Sequence, residues 1–204
     1  MIKNIDPADY SKSEIDNGTR ETVDMDNYVN AYYIFNLKKE FLEIIKKYSR
    51  ECSYVHEEFD LPDIESYRAC DLNFVEEGSK IHKIISGTFK QLNEKHFHYD
   101  LCGTIEVQII RYKVGGNYNW HADYGLSYNK ENVRKLSISM QLSNFDEYEG
   151  GELIICDHTR NYYPLGKRLG DSIIFDSKSP HKACPVKSGT RYVLVAWAHG
   201  PQLR

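Results

Sequence analysis

Three His-x-acid pairs occur in the chain: His56-x-Glu58, His98-x-Asp100 and His121-x-Asp123. Side chains two residues apart at a strand end can reach one metal ion. With 8 His and 30 acidic residues in 204 positions, however, about one such pair arises by chance. A solvated loop is the plain reading for any one of them. His121-Ala122-Asp123 differs in its context. It follows a strand-like run and the turn Arg111-Tyr112-Lys113-Val114-Gly115-Gly116, whose glycines let the chain bend back. A third ligand must come from a later strand. His181 stands just past Gly170-Asp171-Ser172-Ile173-Ile174-Phe175-Asp176, a run that delivers it to a sheet edge. Further on, Ser188-Gly189-Thr190-Arg191 opens another strand with a permanent cation.

Two imidazoles and one carboxylate make a facial triad, which leaves adjacent positions open on Fe(II). A ferrous ion with one carboxylate ligand keeps a positive charge, and a 2-oxo dicarboxylate bound through its keto-acid end more than balances it. The far carboxylate of that molecule then needs a partner in a partly dry pocket. Arg191 can supply a bidentate, charge-assisted one. A surface salt bridge is the plain alternative for Arg191. A zinc hydrolase could use the same His, Asp and His, but it would give no task to Arg191 or to the neighbouring tyrosines.

Such residues need a scaffold of short strands, and the chain after about residue 103 reads that way. The runs Thr104–Lys113, Leu136–Leu142, Glu152–Cys156, Ser172–Phe175, Lys182–Val186 and Arg191–Trp197 are separated by Gly, Asn, Asp and Pro. Their lengths and spacing predict an antiparallel sandwich or barrel. Upstream, Leu37, Phe41, Ile44, Ile45 and Tyr48 follow helical spacing, with Asn36 as the expected cap. A second helix is expected after Ser79, with Ile81, Ile84, Ile85, Phe89 and Leu92 on one face. Residues 52–75 read as loop with room for one strand, and residues 1–27 as a loosely held polar arm. Helices first and strands after predict a mainly β domain with flanking α-helices packed outside the core. The chain is expected to be a single domain over 1–204, with residues 1–103 as arm and supporting helices and 104–200 as the catalytic β core.

Composition excludes several classes. Hydrophobic residues at 41% with 27% charged residues describe a globular profile, and 16 Tyr with 8 Phe favour β structure. A net charge of −4 is unsuited to gripping a polyanion, so no nucleic acid is expected as partner. The start, MIKNIDPADY, has no apolar core of a secretory signal, and no run is long enough to span a membrane. Cys52, Cys70, Cys102, Cys156 and Cys184 are odd in number and widely spaced, which predicts reduced thiols in a cytoplasm.

The segments RYKVGGNYNWHADYG, LSISMQLS, YEGGELII, GDSIIFDSKSPH and VKSGTRYVLVAW occur in this order. Through them, from about Ile105 to Trp197, the chain resembles the Fe(II)/2-oxoglutarate-dependent dioxygenases, and within these the prolyl 4-hydroxylase-like, PKHD-type branch. The resemblance implies a double-stranded β-helix, a jelly-roll-like, cupin-type core with iron in its mouth. It implies His121, Asp123 and His181 as iron ligands and Arg191 as partner of the distal 2-oxoglutarate carboxylate. Tyr112 matches a tyrosine that hydrogen-bonds the same carboxylate, and Gln141 matches a further polar contact. Tyr118, Arg134 and Trp197 match positions lining a substrate-proline pocket, although Tyr118 and Trp197 could equally be aromatic core.

By the same resemblance the chain would consume O2, form succinate and CO2, and use ascorbate as reductant. Its expected substrate is a prolyl residue in a peptide or protein, with Tyr124–Val133 and residues 52–75 as candidate lid segments. A free amino acid such as proline remains open as substrate. A nucleic-acid dealkylase tends to carry a second arginine where this chain has Trp197. A non-enzymatic metal-binding jelly roll would be expected to lose a ligand, and none is lost.

Overall fold

The structure is a computed structural model that describes residues 32–61, 64–125, 132–156 and 162–202. In chain order the elements are β1 (Tyr32–Phe35), α1 (Lys39–Glu51), β2 (Val55–Leu61), β3 (Ile64–Phe74) and α2 (Lys80–Leu92). Eight strands follow from β4 (Ile105–Tyr112), β5 (Asn117–His121), β6 (Asn132–Gln141) and β7 (Tyr148–Gly150) to β8 (Leu153–Cys156), β9 (Tyr162–Pro164), β10 (Ser172–Asp176) and β11 (His181–Ala183). The chain ends in β12 (Val186–Gly189) and β13 (Arg191–Pro201).

Period-two burial along the long strands separates two faces. On β13, Leu194, Ala196 and Ala198 join the cluster under the helices, while Arg191, Val193, Val195 and Trp197 line a pocket. On β4, Val107 and Ile109 go to the helices, and Gln108, Ile110 and Tyr112 to the pocket. The helices close the first face with Ile45 from α1 and Ile81, Ile85 and Phe89 from α2, residues spaced for one helical stripe. Ser79 caps α2, its side chain accepting the His82 N–H at 3.3 Å.

The main sheet is antiparallel and runs β1-β10-β6-β13-β4-β3-β5-β11-β8-β9, with β2 paired to β3; β7 and β12 form a separate pair. It curls strongly, as a double-stranded β-helix does. The bend lies in β3. Its Arg68 and Ala69 face Tyr118 and Asn117 of β5, whereas Asp71–Phe74 face Arg111–Gln108 of β4. The turn joining β4 to β5 makes this possible. Gly115 has φ +84°, and a Cβ on Gly116 would lie 2.9 Å from the Lys113 carbonyl oxygen and 3.1 Å from that of Ala69. The curl thus sets β5 and β11 across from β4, β13 and β6.

Four expectations change. Asn36 does not cap α1, which starts at Lys39 with no side-chain cap. Residues 52–75 are not a loop, because β2 and β3 form a hairpin whose second strand is interior to the sheet. Paired on both sides, β3 cannot act as a loose lid. The run Lys182–Val186 divides into β11 and β12, which belong to different sheets. Pro185 stands between them, with no N–H to continue a ladder. The helices do flank the β core, but β1, β2 and β3 show that the N-terminal half also builds it. The expected arm at residues 1–27 and most of the Tyr124–Val133 segment lie outside the described residues. Among the described residues, no helix is long and apolar enough to cross a membrane.

Candidate active site

His121 ends β5 and His181 begins β11, and the two are paired residues in the antiparallel ladder. Asp123, two residues past His121, brings its carboxylate between them. His121 Nε2 lies 3.6 Å from Asp123 Oδ1 and His181 Nε2 lies 3.4 Å from Asp123 Oδ2. One ligand atom from each of the three lies within 4.8 Å of the others. Metal–ligand bonds of about 2.1 Å place adjacent ligands roughly 3 Å apart, so this cluster fits one ion with little adjustment.

The surroundings leave all three side chains in a state able to bind a metal ion. His121 Nδ1 is 2.7 Å from the Asn119 carbonyl oxygen and His181 Nδ1 is 3.0 Å from that of Ser179. Donation to these carbonyls places the proton on Nδ1 and turns both Nε2 lone pairs toward Asp123. Burial first, then the His181 imidazole, pushes the His121 pKa down to about 4, so the ring is neutral near pH 7. Burial alone would raise the pKa of Asp123. The imidazoles of His181 and His121, with help from Trp197 and Ser137, more than offset it, and the group stays ionised. Ser137 on β6 donates to Asp123 Oδ2 at 2.8 Å, and its Oγ is 2.8 Å from Ser177 Oγ.

Arg191 lines the same pocket. It is only 1% exposed, the bulkiest of the fully buried side chains. Its Nε donates to Gln141 Oε1 at 3.1 Å, and its Cζ lies 5.4 Å from the Tyr112 ring centroid. Among the described residues no carboxylate pairs with it. A buried guanidinium without an acid is costly, and a bound anion would offset that cost. Gly151 makes room for it: φ is +64°, and a Cβ there would sit 3.1 Å from Arg191 Cδ. The YEGGEL turn is therefore a close-approach feature, as its glycines suggest.

The empty space of the pocket, open solvent at its mouth included, is about 650 Å3. Tyr118 stacks on His121 with centroids 3.5 Å apart, and burial pushes its pKa up to about 12. Trp197 and Arg134 also line the pocket, with the Arg134 Cζ 3.8 Å above the Trp197 ring. Arg134 Nε donates to Glu106 at 3.1 Å, so its charge is already paired. Gln141 does not line the pocket; it reaches the site only through Arg191.

The structure therefore brings His121, Asp123, His181, Arg191, Tyr112, Tyr118, Arg134 and Trp197 to one cavity and sets Gln141 behind it. Arg68 and Ser137 escape sequence reasoning. Arg68 enters the pocket from β3, 4.5 Å over the Tyr118 ring and 2.9 Å from Glu57. Its segment reads as loop in sequence, so nothing marks it. Ser137 could have been found from strand alternation in LSISM. Away from the pocket, Glu152 pairs with Lys167 at 3.1 Å and Glu147 with Arg50 at 2.7 Å, which leaves neither a catalytic task.

The family model described as the 2OG-Fe(II) oxygenase superfamily matches residues 107–199 of the chain. Over much of the same stretch the chain is similar to PKHD-type hydroxylases. It is 40% identical over 90 residues to one from Stenotrophomonas maltophilia (43% of this chain, 40% of that protein). It is 38% identical over 108 residues to one from Delftia acidovorans (48% and 47%). The chain thus spans less than half the length of these curated relatives. In fold it is similar to a Pseudomonas putida prolyl-4-hydroxylase, with TM-score 0.67, 16% identity, and 84% and 94% of the two chains covered. A prolyl hydroxylase from Trichoplax adhaerens, solved with a hypoxia inducible factor peptide fragment, gives TM-score 0.61 at 15% identity over 83% of both chains.

Proposed function

We propose that the chain is an Fe(II)- and 2-oxoglutarate-dependent hydroxylase acting on prolyl residues of a peptide or protein. One observation carries this reading: a buried Arg191, with no acid partner among the described residues, lines the same pocket as the His121-Asp123-His181 cluster. His121, Asp123 and His181 would hold the iron, and Arg191 with the Tyr112 hydroxyl would hold the distal carboxylate of 2-oxoglutarate. Bound iron and 2-oxoglutarate supply the O2 chemistry that ends in succinate, CO2 and a hydroxylated substrate, with ascorbate as reductant.

The chain's own residues do the rest. The carbonyls of Asn119 and Ser179 orient the imidazoles, Ser137 orients Asp123, and the apolar wall of Ile110, Ile138, Val193 and Val195 keeps the cavity dry. Tyr118, held between His121 and Arg68, and Trp197, with Arg134 over one face, line the pocket that a proline ring would enter, and Arg134, paired with Glu106, would contact the peptide backbone.

The test is turnover with Fe(II), 2-oxoglutarate and O2 against proline-rich peptides, free proline and methylated oligonucleotides. Expected are succinate and a peptide heavier by one oxygen atom, both absent in His121→Ala. Oxygen added only to free proline moves the substrate to a small amino acid. Demethylation of the oligonucleotide, or no succinate with any substrate, overturns the proposal.

A further inference from the structure

Tyr148 has a buried hydroxyl that the proposed chemistry leaves without a task. The residue is 3% exposed, and its hydroxyl oxygen has no hydrogen-bond partner among the described residues. It lies beside Arg191. A Cβ on Gly151 would touch both side chains, 3.1 Å from Arg191 Cδ and 3.3 Å from Tyr148 Cε2. The backbone enforces this approach: Tyr148 of β7 pairs with Gly189 of β12, two residues before Arg191. Burial raises the phenol pKa, and Arg191 opposes that rise both by its charge and as a hydrogen-bond donor, so the hydroxyl lies within reach of the guanidinium although the two fall short of hydrogen-bond geometry here. A buried phenol usually finds a partner. Gln141 already holds Arg191 at Nε, on one edge of the guanidinium.

We infer that Tyr148 is a positioning residue for dicarboxylate recognition, its hydroxyl oxygen accepting a terminal N–H of Arg191 when a carboxylate is bound. Gln141 and Tyr148, neutral groups from separate strands, then orient the guanidinium without neutralising it. An acid at either place would compete with the ligand for the charge. The inference rests on the reading of Arg191 as the distal-carboxylate partner.

The test compares 2-oxoglutarate with 2-oxopentanoate, which has the same chain length but no distal carboxylate. Both are titrated calorimetrically and without O2 into Mn(II)-loaded wild type and Tyr148→Phe. The expected result is that Tyr148→Phe lowers the preference for 2-oxoglutarate about tenfold, the scale of a hydrogen bond to a charged group, while 2-oxopentanoate binding is unchanged. Its melting temperature should not fall, because the change removes a hydroxyl that is unpaired without ligand. An unchanged preference, or equal weakening of both ligands, overturns the inference. If the wild type itself shows no preference for the diacid, the dicarboxylate reading fails first.

Discussion

Arg191→Met separates a ligand-binding arginine from a structural one. Where buried ion pairs or triads are replaced by apolar side chains of similar volume, the change ranges from neutral to about 4 kcal/mol stabilising. A lone buried guanidinium has its desolvation cost to regain, so about 2 kcal/mol of stabilisation is expected. Against this, Gln141 Oε1 loses the donor it has at 3.1 Å, which costs about 1–2 kcal/mol. The two nearly cancel, so the ligand-free melting temperature should stay within about 4 °C of wild type. If Arg191 were instead the partner of a buried acid, its loss would cost about 3–5 kcal/mol and at least roughly 6 °C. Ligand sharpens the contrast. With Mn(II) present, 2-oxoglutarate at about a hundred times its Kd adds about 2.7 kcal/mol to the wild type, or about 5–11 °C. Losing two charge-assisted hydrogen bonds weakens binding at least about a hundredfold, which leaves less than about 0.5 kcal/mol of that stabilisation. Thermal denaturation with and without 2-oxoglutarate reads both quantities. A ligand-free drop of 6 °C or more, or a ligand shift equal to wild type, would refute the reasoning.

Four further outcomes are expected. His121→Ala, Asp123→Ala and His181→Ala should each abolish stoichiometric Fe(II) binding, measured by metal analysis after anaerobic desalting. Ser137→Ala should keep the fold but weaken Fe(II) binding about 10–100-fold in a competition titration, because Asp123 loses the donor at 2.8 Å. Gly151→Ala should lower the melting temperature by about 2–8 °C, since a side chain at φ +64° is strained and presses on Arg191. Asp71 is also testable, through pH. Burial would raise its pKa, but Lys113, His56 and Arg111 hold it at about 2 against the model-compound 3.8. A depressed carboxylate contributes stability above the unfolded pKa and loses it as pH falls. About 2 kcal/mol should therefore vanish between roughly pH 4 and 2, and acid titration of Asp71→Asn should lack that component.

The local part of the site was legible in the sequence because its signals are local. His121 and Asp123 sit two apart after a glycine turn, His181 follows a strand-like run, and Arg191 opens one. The same is true of Ser79 as a cap and of the apolar stripe on α2. Asn36 failed as a cap because Ser, Asn and Asp also favour turns, and the helix begins only at Lys39. The β2–β3 hairpin was not legible, since its acidic and polar residues carry no clear alternation and β3 is stabilised by pairing with β4 and β5.

The sequence by itself thus determined which groups could do chemistry: two imidazoles, a carboxylate and a permanent cation, carried on strands with glycines where the backbone must turn. Only the tertiary structure decided what each one faces. The curl of the sheet across β3 brings His121 opposite His181 and places Arg191 in the same cavity, with no acid paired to it among the described residues. It also brings Arg68, Ser137 and Tyr148 to those groups from distant segments. Pairing register and sheet curvature set such contacts, and neither is written in the spacing of residues along one strand.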